Sequence, residues 1–550
     1  MIAHAGRGYS VRILGPKSGS LIVGKHTEFG QAALFATVLI PVVLLTGLFV
    51  FNTGQLAATK LKTQNAADAA AFSAMEMEAR ELNFISYTNR AMIANQVAIG
   101  QTISLVSWSH YVKTFGLNIQ RLGTLVSWIP VVGQATVTIT NAIAQTTNAL
   151  DQGIDAASKV ILPALDIADA ALSGAQELYH MTNGIFDPGS GNTNPGGAIT
   201  AVAEQMVKLN DPDARINGMV LTTNLSQYFS HRGDLIKRWG GNKENAQARM
   251  AYMINASRDG FTRERNDLPS VLRPLGSLTV FPFKVGITKS GGGQIAMDKS
   301  GTYAWSGMDT LSLRVWAWSC RWSGCGWRGG LEAPLGWGAA QSGGGNEYDY
   351  FRSSSHYQEI SSPPQSHFPP PVIAQDIPPY GHSWDRNPQT SRLASYSHPE
   401  EQDTYGNSAS SEALGDSHRR GAGGITRYQD FNRSSTALDS SEGDPADAMP
   451  SYIVVVEHAR QIVRDASTAL GISHTTGQGK MNMILPQSAQ GGQVRALAKA
   501  QAYFRRPASL WQRSDKYHER GNLFSPFWEA RLVDTNMADR TQYAALLGLH

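Results

Sequence analysis

The two cysteines of the chain, Cys320 and Cys325, are the residues best suited to covalent chemistry. They lie in the segment WSCRWSGCGW, with four residues between them and Gly324 where the loop must bend. In an oxidising compartment such a pair can close a small disulfide. Two free thiols or a metal site are the alternatives, but a metal would need further ligands and no histidine flanks the pair closely. The spacing therefore favours a disulfide.

Four short motifs have the residue types of a binding or catalytic site without the surroundings that such a site needs. Residues 298–302, DKSGT, have the spacing of a von Willebrand A-type cation loop, but the preceding run GGGQIAM is a poor central strand. Gly479-Lys480 is followed by Met481, where a phosphate loop has Ser or Thr. The Gly-Asp-Ser sequence at 415–417 lacks the strand and helix around an esterase nucleophile. The Arg-Gly-Asp sequence at 232–234 is short enough to arise by chance.

The composition excludes several classes of protein. A net charge of +3 gives no large basic surface for nucleic acid. Two cysteines are too few for an iron–sulfur cluster held by four thiolates or a four-cysteine zinc site. No histidine pair stands at the i,i+4 spacing, with a carboxylate, of a zinc hydrolase. We therefore predict no catalytic residue, no cofactor and no metal, and we expect the chain not to be an enzyme.

One segment of this 550-residue chain is apolar for long enough to cross a membrane. From Ala32 to Phe51 the sequence has no charge, and as a helix it is about 30 Å long, the thickness of a bilayer core. Pro41 lies within it, as membrane helices tolerate. The run is longer than the usual core of a signal peptide and no small-x-small cleavage site follows, so we expect an uncleaved anchor.

The basic residues on either side of this segment indicate its orientation. Four of them precede it, and two, Lys60 and Lys62, follow it before Asp68. Basic residues are more frequent on the cytoplasmic side. The bias favours a cytoplasmic N-terminus and a bulk that lies outside the cytoplasm.

Two long helices are predicted after the anchor. Residues 52–110 contain no proline and many helix formers, which predicts a continuation of the membrane helix. Residues 133–179 show apolar residues at intervals of three and four, and Pro163 should kink or divide this second helix. On the first helix a cluster of small residues predicts a face that packs closely on another helix. That face comprises Ala66, Ala67, Ala70 and Ala71.

The pattern changes to period two between residues 275 and 318, which predicts a small antiparallel sheet. Residues 341–450 are rich in Ser, Gly and Pro and poor in large aliphatic residues, so we expect mostly irregular chain there, partly pinned by its tyrosines. After residue 451 the run YIVVV predicts a strand. The segments EHARQIVRDASTAL and GGQVRALAKAQAYF should follow it as amphipathic helices.

The predicted fold class is α+β. A single N-terminal transmembrane helix continues into a long α-helix, followed by a helical extracytoplasmic region with a small antiparallel β-sheet and a long irregular insertion. The predicted segments are a cytoplasmic stretch (1–31), the transmembrane helix (32–51), a mainly helical region (52–265), a β-region (266–340), the low-complexity tract (341–450) and a C-terminal α/β segment packing on the core (451–550).

Three features follow one another near the N-terminus: GQA at 30–32, the apolar span, and QNAADAAA at 64–71. With them, about residues 26–110 resemble the TadE/TadG-like family of the tight-adherence (Flp) pilus-assembly system. It implies a bitopic inner-membrane protein that supports assembly of a thin adhesive pilus. The residue five beyond Gly30 is Phe35, whereas Flp pilins have Glu there. We therefore expect no processing by prepilin peptidase.

These observations lead to a membrane-anchored pilus-assembly protein of structural or accessory role, acting by helix packing and protein–protein contacts. A membrane-tethered adhesin or envelope scaffold unrelated to pili is the alternative, and an anchored extracytoplasmic enzyme is a third class. The expected partners are inner-membrane lipid and other pilus-assembly or pilin-like membrane proteins, without nucleic acid. The sequence leaves the oligomeric state open.

Overall fold

The structure is a computed structural model. It describes residues 29–125, 132–184, 197–239, 244–263, 278–297, 303–342, 424–432, 447–459, 493–507 and 519–547, together with residues 127, 265, 267, 268, 273, 444 and 445. The motifs at 298–302, 415–417 and 479–481 lie outside these residues.

A single helix organises the fold. Helix α1 runs from Phe29 to Leu125, which is 97 residues. No proline follows Pro41 in it, and long stretches consist of strong helix formers. The prediction of a membrane helix that continues into a long α-helix is therefore confirmed, and α1 extends past residue 110.

Six further helices are described. Their bounds are α2 Val132–Gly184, α3 Gly197–Asn210, α4 Gly218–Leu235, α5 Glu244–Ala256, α6 Gly260–Arg263 and α7 Met537–Leu546. Pro163 was predicted to kink or divide α2, and it does not divide it, because the helix is continuous through it. Proline removes one hydrogen bond, but Leu162 before it and Asp169 after it are buried, so tertiary packing holds both sides of this position.

The strands form three antiparallel sheets. Their bounds are β1 Ala214–Ile216, β2 Ile236–Trp239, β3 Leu278–Val280, β4 Phe283–Met297, β5 Tyr303–Arg321, β6 Gly324–Gln341, β7 Tyr428–Phe431, β8 Ser451–Ala459, β9 Gln493–Phe504 and β10 Trp528–Leu532. The orders are β1-β8-β9-β10, β2-β7 and β3-β4-β5-β6. The predicted α+β class with a small antiparallel sheet is confirmed.

The C-terminal region differs from its prediction in one element. Residues 451–459 are a strand, as YIVVV indicates, but 493–504 form strand β9 rather than an amphipathic helix. The alternate residues Val494, Ala496 and Ala498 are buried, so this stretch has period two. Alanine favours helices in isolation, and pairing with β8 and β10 overrides that preference here. Most of the other predicted helix, from residue 460 on, lies outside the described residues.

A short part of the 341–450 tract is ordered. Strand β7 is buried at all four positions and pairs with β2 in register Tyr428↔Trp239. Tyr428, the one tyrosine of the tract among the described residues, is fully buried. Of the remainder of this tract, only a few residues at either end and near 424–432 are described.

The core surrounds α1. Its residues from Ala66 to Met75 share one apolar cluster with α3, α4 and the sheet β1-β8-β9-β10. Ala79, Leu82 and Ile85 share a second cluster with β7, β9 and β10. Nearer its C-terminal end, α1 packs against the sheet β3-β4-β5-β6 through Tyr111.

Candidate membrane anchor and the clusters that hold it

The first turns of α1 expose an apolar surface on all sides. Leu34 is 70% exposed and Phe35 77%, and the residues up to Phe51 are exposed or nearly so. Among the described residues, α1 is the one helix long and apolar enough to cross a membrane. An apolar helix with no buried side is expected to be buried by lipid.

The polar side chains of this segment are satisfied within the helix. The hydroxyl groups of Thr37, Thr46 and Thr53 donate to the carbonyl oxygens four residues earlier, at 2.7 to 2.8 Å. Because each donor already has an acceptor, none needs water. This arrangement suits a helix in hydrocarbon, where an unpaired polar group is costly.

The exposed part of α1 ends where basic side chains meet the folded domain. Lys60 Nζ donates to the carbonyl oxygen of Arg495. Lys62 Nζ lies 3.0 Å from Asp211, which also contacts His458 Nδ1 at 2.8 Å. Burial alone would raise the pKa of the Asp211 carboxyl, but Lys62 and His458 hold it below its usual value. These contacts tie α1 to the sheet immediately above the anchor.

The predicted small-residue face is fully buried inside the chain. Ala66, Ala67, Ala70 and Ala71 have no exposed surface. The apolar cluster that contains them includes Ile199, Ala203 and Val207 of α3 and Tyr452, Val454 and Val456 of β8. The face thus packs on a helix and a sheet of the same chain, rather than on a helix of another molecule. The spacing of the alanines indicates a closely packed face but does not identify the element that covers it.

Next along α1, two carboxylates are buried with one arginine. Glu78 and Glu81 are one turn apart, and both contact the guanidinium of Arg232 from α4, Glu78 at 2.7 Å. His180 Nδ1 lies 2.8 Å from Glu81, and the Asn183 amide donates to Glu81 at 2.7 Å. We call these five residues the lower charge cluster. It joins α1, α2 and α4.

The two carboxylates of the lower charge cluster have different electrostatics. Burial raises the pKa of Glu78, and Arg232 only partly offsets it. Burial also acts on Glu81, but Arg232, His180 and Asn183 lower its pKa overall. Arg232 is only 2% exposed, so the Arg-Gly-Asp tripeptide at 232–234 does not present its arginine to a partner.

A second buried ion cluster lies further along α1. Asp309 of β5 contacts Arg265 Nη2 at 2.7 Å and Lys289 Nζ at 3.3 Å, and Ser107 of α1 donates to it at 2.8 Å. Burial would raise the pKa of Asp309, but Arg265 and Lys289 hold it below its usual value. We call these four residues the upper charge cluster. It joins α1 to the β3–β6 sheet.

These clusters suit structural support better than chemistry. Each carboxylate in them is matched by at least one cation, and each is inaccessible to a substrate in solution. Within the described residues, no group of three or more His, Cys, Asp or Glu side chains could hold a metal ion. The arrangement fixes α1 against three other parts of the fold.

Cys320 and Cys325 face each other at the end of the β5–β6 hairpin. Their sulfur atoms are 2.00 Å apart, a bonding distance, and the two residues are paired in the ladder. Gly324 has φ +112°, a conformation that glycine adopts without strain, so the bend needs it. Trp322 at the tip is fully exposed. The pair bridges the two strands at the exposed end of the hairpin.

Sequence reasoning missed both charge clusters. The acids Glu78 and Glu81 stand three apart in the stretch AAFSAMEMEARELNF, which also contains Glu76 and Arg80, so the buried acids are not distinguished from exposed ones by the local sequence. Their partner Arg232 is 151 residues from Glu81. Pairing over such a separation depends on the fold and leaves no local pattern.

Comparison with known proteins identifies one family. Residues 30–79 match the model of the putative Flp pilus-assembly TadE/G-like family, and the resemblance predicted from GQA and QNAADAAA is confirmed over that segment. The matched segment holds the exposed apolar turns, the buried alanine face and Glu78. No curated protein and no solved structure matches the chain.

Proposed function

We propose that this chain is a single-pass inner-membrane protein of a Flp/Tad-type pilus-assembly system. Its N-terminus lies in the cytoplasm and its bulk in the periplasm. It acts as a structural or accessory component through contacts with other pilus-assembly or pilin-like membrane proteins, not by catalysis. The family match over residues 30–79 supports a pilus-assembly role and membrane anchoring.

The observation that carries this proposal is the continuity of the matched segment. Within one unbroken helix, residues 34–51 are apolar and almost entirely exposed, and residues from Ala66 onward are buried in the folded domain. A helix that is lipid-facing at one end and part of the core at the other holds the domain at a fixed height and orientation. Such a connection suits a protein that positions partners at a membrane.

The chemistry of the described residues also favours binding over catalysis. The buried carboxylates serve as ion-pair partners that join elements. The apolar span implies contact with inner-membrane lipid, and the family implies partners with similar helices. The periplasmic placement agrees with the bonded geometry of Cys320 and Cys325, since disulfides persist in oxidising compartments.

Deletion of the gene in its native host tests the proposed function. We expect surface pili, counted by electron microscopy, to fall at least tenfold and to return when the wild-type chain is supplied from a plasmid. A Leu44→Arg variant should fail to restore them, because arginine at the middle of a membrane helix costs about 2.5–3.5 kcal/mol. Leu44→Ile is the matched control and should restore them. Normal piliation after deletion would refute a role in pilus assembly.

Topology is measured separately with alkaline phosphatase fused after His550. An active fusion supports a periplasmic bulk. An inactive fusion, with an active cytoplasmic reporter at the same position, would show the opposite orientation. It would leave the conclusion from the deletion experiment unchanged.

A further inference from the structure

Helix α2 buries its polar side and exposes its apolar side. The side chains that face α1 hydrogen bond with it: Asp151 accepts from Ser109 at 2.8 Å, and Gln176 donates to Asn89 at 2.7 Å. Burial raises the pKa of Asp169 on the same side to about 6. The buried polar residues of α2 are Thr140, Asp151, Ser158, Asp169, Ser173, Gln176 and Asn183. A helix on a water-soluble domain normally has the opposite arrangement.

The outer side of α2 carries a heptad pattern. Positions separated alternately by four and three residues, from 139 to 181, are all exposed. We call this set the α2 seam: Ile139, Ile143, Thr146, Leu150, Gly153, Ala157, Val160, Ala164, Ile167, Ala171, Gly174, Leu178 and Met181. Apolar and small residues at this spacing, sustained over about six heptads, are typical of a coiled-coil contact.

The α2 seam has the surface of an interface rather than that of a solvated helix. Val160 is 72% exposed, Ile167 69% and Leu178 64%. The one hydroxyl in the seam, on Thr146, donates to the carbonyl oxygen of Ala142 at 2.9 Å, which leaves its methyl group for contact. A continuous apolar surface of this extent marks a binding site on a soluble domain.

Two glycines in the seam point to a closely approaching partner. Gly153 and Gly174 lie in the interior of α2, where glycine is unfavourable relative to alanine. A Cβ atom at either position would meet no atom within 4 Å, so the described parts of the chain do not require glycine there. Both occupy the same heptad position as Val160. A second backbone crossing at these points would require small residues.

Lipid does not suit the seam as its occupant. The contacts of α2 with α1 include that of Asn183 with Met77 and that of Gln120 with Asn141. Phe51 is the last apolar residue of the anchor, and at 1.5 Å per residue these contacts lie about 40 Å and about 100 Å beyond it along α1. The seam therefore stands far above the bilayer and needs a protein partner.

We propose that the α2 seam binds the same seam of a second copy, in a parallel, in-register pair with its two-fold axis along the membrane normal. This proposal rests on the membrane anchoring in the proposed function. Two copies that rise from one membrane on the same unbroken helix hold their seams at the same height. A two-fold axis then brings each residue to its own counterpart, as in a parallel coiled coil.

The residues of the seam fit self-pairing. In an in-register pair every seam residue meets a copy of itself, so any charge there would face a like charge. The seam has no charged residue over its whole length, while Asp151, Asp155, Lys159 and Asp166 all lie off it. The flanking Ile154 and Ile161 are apolar as well.

The area is sufficient for a stable pair. An exposed aliphatic side chain carries on the order of 100 Å² of apolar surface. The seven large seam residues are between 37% and 72% exposed. With the small residues added, two copies would bury on the order of 1,200 Å² or more, which reaches the range of specific protein–protein interfaces.

Cysteine crosslinking of the full chain in native membranes tests the pairing. In a background with Cys320→Ser and Cys325→Ser, single variants Ile139→Cys, Val160→Cys and Met181→Cys are oxidised with copper phenanthroline. All three should yield disulfide-linked dimers, at least tenfold above Lys159→Cys, the neighbouring off-seam control. Crosslinking at both ends of the seam is specific to a parallel, in-register pair, since an antiparallel pair brings only central residues to their own counterparts.

A second variant tests the contact without a crosslinker. Val160→Glu replaces an exposed side chain, so the fold should persist, and it should weaken self-association at least about tenfold by placing two carboxylates together. Light scattering of the chain in detergent measures the dimer fraction, with Lys159→Glu as the control. Three results would each overturn the pairing. They are equal crosslinking on and off the seam, crosslinks only to another protein, and an unchanged dimer fraction in Val160→Glu. Recovery of the protein in the membrane fraction reports the anchor separately, so failure of anchoring and failure of pairing are distinguishable.

Discussion

Helix α1 makes two contacts with antiparallel sheets, and the two contacts differ in the surface that supplies the small residues. In the lower contact the helix supplies them, with Ala66 and Ala70, and the sheet adds alanines of β9 beside Tyr452 of β8. In the upper contact the helix has the large side chains, Tyr111 and Phe115, and the sheet has the small residues, the glycines of β6. Close approach of helix and sheet thus needs small residues on one surface, and either surface can supply them.

The charges are reversed in the same way. In the lower charge cluster the helix α1 supplies the acids, Glu78 and Glu81, and another element supplies Arg232. In the upper charge cluster the sheet supplies the acid, Asp309, and α1 contributes only the hydroxyl of Ser107. The lower contact therefore depends on α1 for its buried charge, and the upper one does not.

The largest effect is expected at Arg232. Arg232→Met leaves two buried carboxylates without their cation, and removal of one partner of a buried ion pair costs about 3–5 kcal/mol. Denaturant unfolding of the full chain in detergent measures the loss. Arg238→Met is the control, since Arg238 contacts Glu177 at a partly exposed site, worth about 1 kcal/mol or less. Equal losses of stability in the two variants would contradict a structural role for the lower charge cluster.

Asp309→Asn tests the upper charge cluster and its pH dependence. At pH 7 it should cost about 2–4 kcal/mol, because Arg265 and Lys289 lose their shared carboxylate. The folded pKa of Asp309 is lowered, so its contribution is complete above the ordinary pKa of about 4 and is lost as the pH falls further. The difference in unfolding free energy between wild type and variant should be smaller at pH 3 than at pH 7. A constant difference would show that charge is not the cause.

Ala70→Leu tests the small side of the lower contact. Leucine at this fully buried position overpacks the core and should destabilise the fold by about 1–3 kcal/mol, with less protein in the membrane fraction. Ala58→Leu, at an exposed position of α1, should have no such effect. If Ala70→Leu keeps full stability but lowers piliation, this face binds another protein, as the sequence suggested.

Gly338→Ala tests the small side of the upper contact. A Cβ atom there would overlap the backbone of α1 at Ser107 and Tyr111, so the sheet must move away at a cost of about 1–3 kcal/mol. A Cβ at Gly326, near the tip of the same hairpin, meets nothing within 4 Å. Gly326→Ala should leave the unfolding midpoint unchanged, and a similar shift in both variants would argue against a close helix–sheet contact.

The smallest effect is expected from the cysteine pair. The double variant Cys320→Ser/Cys325→Ser should lower stability by about 2 kcal/mol or less, because the bond closes a short loop in an exposed hairpin. Mass spectrometry of the purified chain with and without reduction should show a two-dalton difference if the pair is oxidised in the cell. Free thiols in protein from the periplasm would refute the disulfide.

Local patterns in the sequence determined the elements of this protein that depend on neighbouring residues. The uncharged run 32–51, the helix formers after it and the period-two stretch after 275 each predict a described element. The GQA and QNAADAAA segments both lie within the residues that match the family model. The alanines of 493–504 favour a helix locally. The segment nevertheless forms strand β9, because it pairs with a strand on each side.

Only the tertiary structure decided what each face contacts. Spacing shows that Ala66 and Ala70 share a face, but it does not show that residues near 200 and 450 cover it. The pairing of Glu81 with Arg232 joins residues 151 apart, and such partners are selected by packing and the need to neutralise a buried charge. The same reason explains α2, whose periodicity is readable from the sequence although the side that faces outward is not. That side is set by the polar residues of α1, which hydrogen bond with Asp151, Asp169 and Gln176 and so turn the apolar seam toward the surroundings.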